Sequence, residues 1–282
     1  MQTNTSSSSG SLLRIIILLV GGATFVLLFF ANKTNLNTKP GPGTTAVVNE
    51  NATGVEEQLL PIQDPALAQE LVRAEGMEGK EKVTLLDSLT HVLEGNGRFD
   101  QAALLANELA SLDPTVPRKL KAGILSYEAS QIPTIANDSL LFRSFSNQAM
   151  TNLESVTQED ETNEEALLYL GLTYVESRLQ QNAMRGILTI RKVLEVNPNN
   201  AEASFRLGLF SLQTGQIDKA LPRFEKVLEI RPDDHIARFQ YAITLTQLGR
   251  NKEAKDALND VINKSGEPEL VQQAQLFINQ LP

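Results

Sequence analysis

Apolar residues recur at intervals of three and four along much of the chain, the spacing that gathers side chains on one face of a helix. The clearest stretch is 201–234. There Ala203, Leu207, Gly208 and Ser211 share one stripe, and Ala220, Phe224, Val227 and Leu228 make a second. Thr214-Gly215-Gln216 separates the two helices, and Pro232 closes the unit because proline cannot continue a helix. Small residues at Gly208 and Ala220 let two helix backbones approach closely.

The arrangement returns 34 residues on, in 235–268: Ala237, Tyr241, Ala242, Gly249, Ala254 and Leu258 replace Ala203, Leu207, Gly208, Gly215, Ala220 and Phe224. Upstream, Leu170-Gly171, Tyr174 and Pro198 mark a unit over 164–200. In it Gly186, rather than Ala183, lies at the right distance from Pro198, so the spacing predicts an inter-helix turn about three residues longer. Leu86, Leu89, Gly97, Ala102, Leu109 and Pro114 fit the same arrangement in 83–116. A degenerate copy over 117–163 would carry Ala122 and Leu125 on its first helix and Ala149, Leu153 and Val156 on its second, with an enlarged connection.

A period of 34 with this small–large–small pattern resembles the tetratricopeptide repeat family. The resemblance takes in clear repeats over 164–268 and divergent ones over 83–163, with an insertion at 131–148. It implies an all-α fold, a right-handed α-solenoid of helix hairpins. Stacking also follows from the residues themselves: each pair has more apolar surface than it can bury alone, so repeats must cover one another and the ends need caps. Asp64-Pro65 opens a helical segment in an N-terminal capping region, 61–82. Residues 269–282 read as a C-terminal capping helix, with Leu270, Ala274, Phe277, Ile278 and Leu281 on one stripe.

The N-terminal part has a different character. Residues 1–14 are polar and serine-rich, as in a disordered tail. The run 15–31 is apolar and uncharged, and Leu12 and Leu13 lengthen it to the 20 residues that span a bilayer. Phe29-Phe30-Ala31 is a poor cleavage site, so 12–31 is predicted to be a transmembrane signal anchor preceding the repeats. Residues 32–60, with Pro40-Gly41-Pro42-Gly43, read as a flexible linker. A short tail before a long domain favours a single-pass protein of the bacterial cell membrane with its repeats on the extracytoplasmic, periplasmic side.

A formal net charge of −9 argues against nucleic acid as a partner. With no cysteine, thiol catalysis and cysteine-bound metal are excluded. The two histidines, His91 and His235, lack an HExxH neighbourhood, and no glycine-rich phosphate loop is present. No catalytic, cofactor-binding or metal-binding residues are expected, and the chain reads as a non-enzyme.

What the resemblance does imply is an inner groove lined by the first helices of successive repeats. Carrying that pattern over selects Leu168, Leu172 and Val175, then Phe205, Leu209 and Leu212, then Ile236, Phe239 and Ile243. This lining is apolar and suits an amphipathic helix or hydrophobic peptide. The expectation is a membrane-tethered scaffold or adaptor binding a protein or peptide partner during assembly of an envelope complex. Its architecture is similar to single-anchor bacterial proteins such as cytochrome c maturation factors and translocon-associated periplasmic chaperone partners, without any residue that transfers a haem or translocon role. The rivals are a homo-oligomeric structural protein joined through Gly21-Gly22 and the Leu140–Phe145 patch, and an enzyme or enzyme regulator with a site in 117–163.

Overall fold

The computed structural model describes residues 64–281, which form helices with no strand among them. The tail, membrane-spanning run and linker expected over 1–60 lie outside the described residues. No described helix is long and apolar enough to cross a membrane.

The described residues make two compact units, 64–196 and 197–281. The first holds α1 (Pro65–Glu75), α2 (Gly79–Gly95), α3 (Phe99–Leu112), α4 (Val116–Gln131), α5 (Pro133–Asn137), α6 (Ser139–Glu159), α7 (Glu164–Glu176) and α8 (Gln180–Val196). The second holds α9 (Ala201–Gln213), α10 (Ile217–Ile230), α11 (His235–Gln247), α12 (Asn251–Lys264) and α13 (Pro268–Ile278). Consecutive helices pack as pairs, α2 with α3, α4 with α6, α7 with α8, α9 with α10 and α11 with α12, while α1 lies on α2 and α13 on α12.

Local chemistry sets the helix starts. Asp64, Asp138, Asn163, Asn200 and Asp234 each accept from a backbone amide in the first turn, satisfying donors that the helix leaves orphaned. Gly97, Gly215 and Gly249 take φ of 71°, 71° and 75° in the turns within pairs, a region that suits a residue without Cβ.

One packing rule recurs in all five pairs. The second helix presents a trio at i, i+4 and i+7: Ala102, Ala106, Leu109; Ala149, Leu153, Val156; Gly186, Ile190, Val193; Ala220, Phe224, Val227; Ala254, Leu258, Val261, every one buried. In three of the pairs the middle member fits over a glycine of the first helix. A Cβ on Gly208 would stand 2.8 Å from the Phe224 ring, one on Gly123 2.6 Å from Leu153, and one on Gly171 2.5 Å from Ile190. Each fully buried Leu, Ile or Phe contributes roughly 1.5–3 kcal/mol of transfer free energy, so these trios are the main cohesive element. The seam of α3, α4 and α6 adds a polar net. Asn107 donates to Ser126 Oγ and Gln148 Oε1, both at 2.9 Å, and accepts from Asn152 at 2.7 Å.

One expectation needs correcting. The three extra residues of 164–200 lengthen a helix and not the turn: residues 177–179 match 214–216 in number, whereas α8 has 17 residues against 14 in α10. Residues 180–183 contain no breaker, so they continue the helix backward by most of a turn. The 131–148 stretch completes the core of its unit. It is the short α5 followed by the start of α6, and Ile135, Leu141, Phe142 and Phe145 are buried. Only Leu140 of that apolar group is exposed.

Candidate functional site

Of the nine residues selected for an apolar groove, six are buried. Leu209 and Leu212 pack with Ala220 and Phe224, with Phe205 against them in an edge-on ring contact to Phe224 at 5.9 Å. Phe239 and Ile243 belong to the core shared with α12 and α13, and Phe239 meets Phe277 edge-on at 6.0 Å. In the other unit Leu168 and Leu172 are buried and Val175 is half-buried. Ile236 alone is exposed, at 40%. Within each unit the first helix of a pair packs on its own second helix, and α4 also meets α7 as α9 meets α11, so positions that a helical wheel points inward are consumed by packing.

The open surface lies elsewhere, on α2 and α4. In the α2–α3 pair the trio has Ala106 where others carry Leu153, Ile190, Phe224 or Leu258, and Thr90 stands where Gly208 does. This exchange of sizes removes a large side chain from the layer. The result is a pocket of about 560 Å³ whose floor includes Thr90, Ala106 and Leu109 and whose rim carries Asp87, His91, Arg118 and Lys121. Thr90 is buried and donates to the Leu86 carbonyl at 2.8 Å.

Charge on the rim is balanced by ion pairs. Lys121 bonds to Glu94, which also lies 3.9 Å from the His91 ring, and Arg118 bonds to Asp113. These groups are partly in water, so each pair is worth little and can be exchanged for a ligand's polar group at small cost. On the neighbouring face of α2 a second opening of about 540 Å³ is lined by Arg73, Lys80, Glu81, Thr84 and Ser88, with Met77 and Leu85 as its apolar part. Together they make α2 a polar strip rich in both donors and acceptors. Such a surface can hold the backbone and side chains of a peptide through hydrogen bonds. Among the described residues no three His, Asp or Glu side chains gather into a metal-binding group.

The sequence reading missed Asp87, His91, Arg118 and Lys121. A signal was present: counting the inner-face positions of 201–213 back into 83–95 gives Thr84, Asp87, His91 and Glu94. Arg238 is a different matter, since it reaches Asp260 at 3.0 Å and the Pro232 carbonyl as part of the α11–α12 seam. Elsewhere, burial first and a hydrogen bond to Glu154 second push the Tyr174 phenol well above its usual range, with Arg185 stacked 4.2 Å from its ring.

Comparisons with known proteins agree with the helix pairing. Residues 189–221 and 211–276 match family models described as tetratricopeptide repeat. No curated protein matches the sequence. Among solved structures, a tetratricopeptide repeat protein from Parabacteroides merdae is 18% identical, with a TM-score of 0.56 over 76% of this chain and 77% of that one. A thermophilic tetratricopeptide repeat protein from Thermus thermophilus is 17% identical, with a TM-score of 0.52 over 70% of this chain and 99% of that one. At such identities the likeness is one of fold. Residues 189–276 thus carry matched tetratricopeptide repeats, and the buried trios and left-handed turns show the same helix-pair fold in the rest of the described residues.

Proposed function

We propose that this chain is a scaffold for protein–protein interaction, holding a segment of a partner protein on the polar strip formed by α2 and α4. Tetratricopeptide repeats are built for such display, and the single observation that selects this face is the pocket opened by Ala106 and rimmed by Asp87, His91, Arg118 and Lys121. The nine apolar positions first selected contribute mainly to packing, with Ile236 left at the surface.

The finer features extend this proposal. A right-handed solenoid is the arrangement implied by the family. Tethering by 12–31 rests on the uncharged run 15–31 in the sequence, display of the repeats outside the cytoplasm rests on the short tail before a long domain, and a role in assembling an envelope complex extends that placement.

The test is site-specific photo-crosslinking in the full-length chain in cells, with the probe at Thr84 or His91 and, in parallel, at Met184 and Ile236. The expected result is one dominant adduct from Thr84 and His91 that weakens when Lys121→Glu is added. Adducts formed only from Met184 or Ile236 would move the binding face elsewhere.

A further inference from the structure

Four turns within pairs have three residues each, 96–98, 177–179, 214–216 and 248–250. Their middle residues are Gly97, Arg178, Gly215 and Gly249, with φ of 71°, 60°, 71° and 75°. Among the described residues Arg178 is the one non-glycine with positive φ. The left-handed region is disfavoured for any residue with a Cβ, and arginine has no short polar side chain to compensate locally. Something beyond the turn must therefore hold it.

That something is the α4–α6 connection. The Arg178 guanidinium stacks 4.1 Å from the centre of the buried Phe142 ring. It also donates to the Ala136 carbonyl, near the end of α5, where carbonyls lack intrahelical partners. Helix α5 has five residues and no side-chain cap at its start, far too little to hold its own geometry.

We propose that Arg178 is a conformational latch, making the α7–α8 turn and the connecting segment 132–142 one cooperative unit. Docking of α5 and the first turn of α6 keeps arginine in a glycine conformation, and the arginine in turn keeps α5 docked, although the partners are 42 residues apart in sequence. Release of the latch frees the connection while leaving the flanking helix pairs folded.

Hydrogen exchange on the full chain tests this with Arg178→Gly, which removes the latch and the backbone strain together, and Arg178→Ala, which removes only the latch. In both, amides of 133–142 should exchange about tenfold faster, the scale of losing one partly buried cation–ring contact. In Arg178→Gly the α7 and α8 amides should keep or gain protection, and its unfolding midpoint should exceed that of Arg178→Ala. Adding Phe142→Leu to Arg178→Gly should give little further acceleration. Unchanged exchange at 133–142 in Arg178→Gly would overturn the latch, as would acceleration spread evenly across α4, α6, α7 and α8.

Discussion

Replacing Gly186 with alanine asks directly whether the pairs are held at backbone distance. The added Cβ would lie 2.5 Å from the Gly171 carbonyl oxygen, 2.6 Å from Val175 Cγ2 and 2.8 Å from Val175 N. Ordinary contact begins near 3.4 Å, so the shortfall against the carbonyl is 0.9 Å, being 3.4 less 2.5. Two of the three obstacles are backbone and cannot rotate away. Separation of α7 and α8 by that amount would open a gap over Ile190 and Val193, and a gap of about 0.5–1 Å forfeits a quarter to a half of each contact. Alanine in a helix interior gains about 1 kcal/mol over glycine. Overpacking costs typically about 1–3 kcal/mol and more where backbone must move. Because backbone must move, the cost lies at the upper end, about 3 kcal/mol, and the net expectation is a loss of about 2 kcal/mol, at roughly 2–4 °C in Tm per kcal/mol for a domain of this size. Thermal and urea unfolding provide the assay, with Gly95→Ala as control because nothing lies within 4 Å of a Cβ there. Gly123→Ala should cost less than Gly186→Ala, since it meets the movable side chain of Leu153 and the edge of Asn152. A Gly186→Ala protein that melts at or above wild type would refute the close-approach reasoning.

Three further outcomes follow from named groups. Asp234→Ala removes the acceptor for the Ala237 amide at 2.8 Å and should cost about 1 kcal/mol in denaturant unfolding. Asn107→Ala strips partners from Ser126, Gln148 and Asn152 together, and should cost about 1–3 kcal/mol, more than the same change at an exposed asparagine such as Asn199. The Lys264 hydrogen bond first, then the nearby Arg238 and His235 charges, hold the Asp260 carboxyl below its ordinary 3.8. A lowered folded-state value stabilises above the unfolded one and is lost as pH falls through the folded one. Acid unfolding below about pH 4 should therefore be shallower in Asp260→Asn than in wild type.

Much of this arrangement was legible in the sequence, because the trio on each second helix is a matter of spacing. Ala149, Leu153 and Val156 could be placed even in the most divergent repeat, and the structure buries all three. The lengthened α8 was harder. A three-residue shift between Gly171 and Gly186 fits either a longer turn or a longer helix, and the usual marker, a turn glycine, is replaced by Arg178. The site was missed for a related reason. Ala106 looks like one more small residue on a packed face, yet its effect is to leave space where four other repeats place Leu, Ile or Phe. Conversely, Leu209, Phe239 and Ile243 looked available because a helical wheel shows direction and not neighbours.

The most direct measurement is a hydrogen-exchange footprint of the full-length chain with and without its purified crosslinked partner. Binding on the polar strip should protect amides in 84–94 and 115–121 while leaving α11 to α13 unchanged. Protection confined to α9–α13, with 84–121 exchanging as in the free chain, would contradict it.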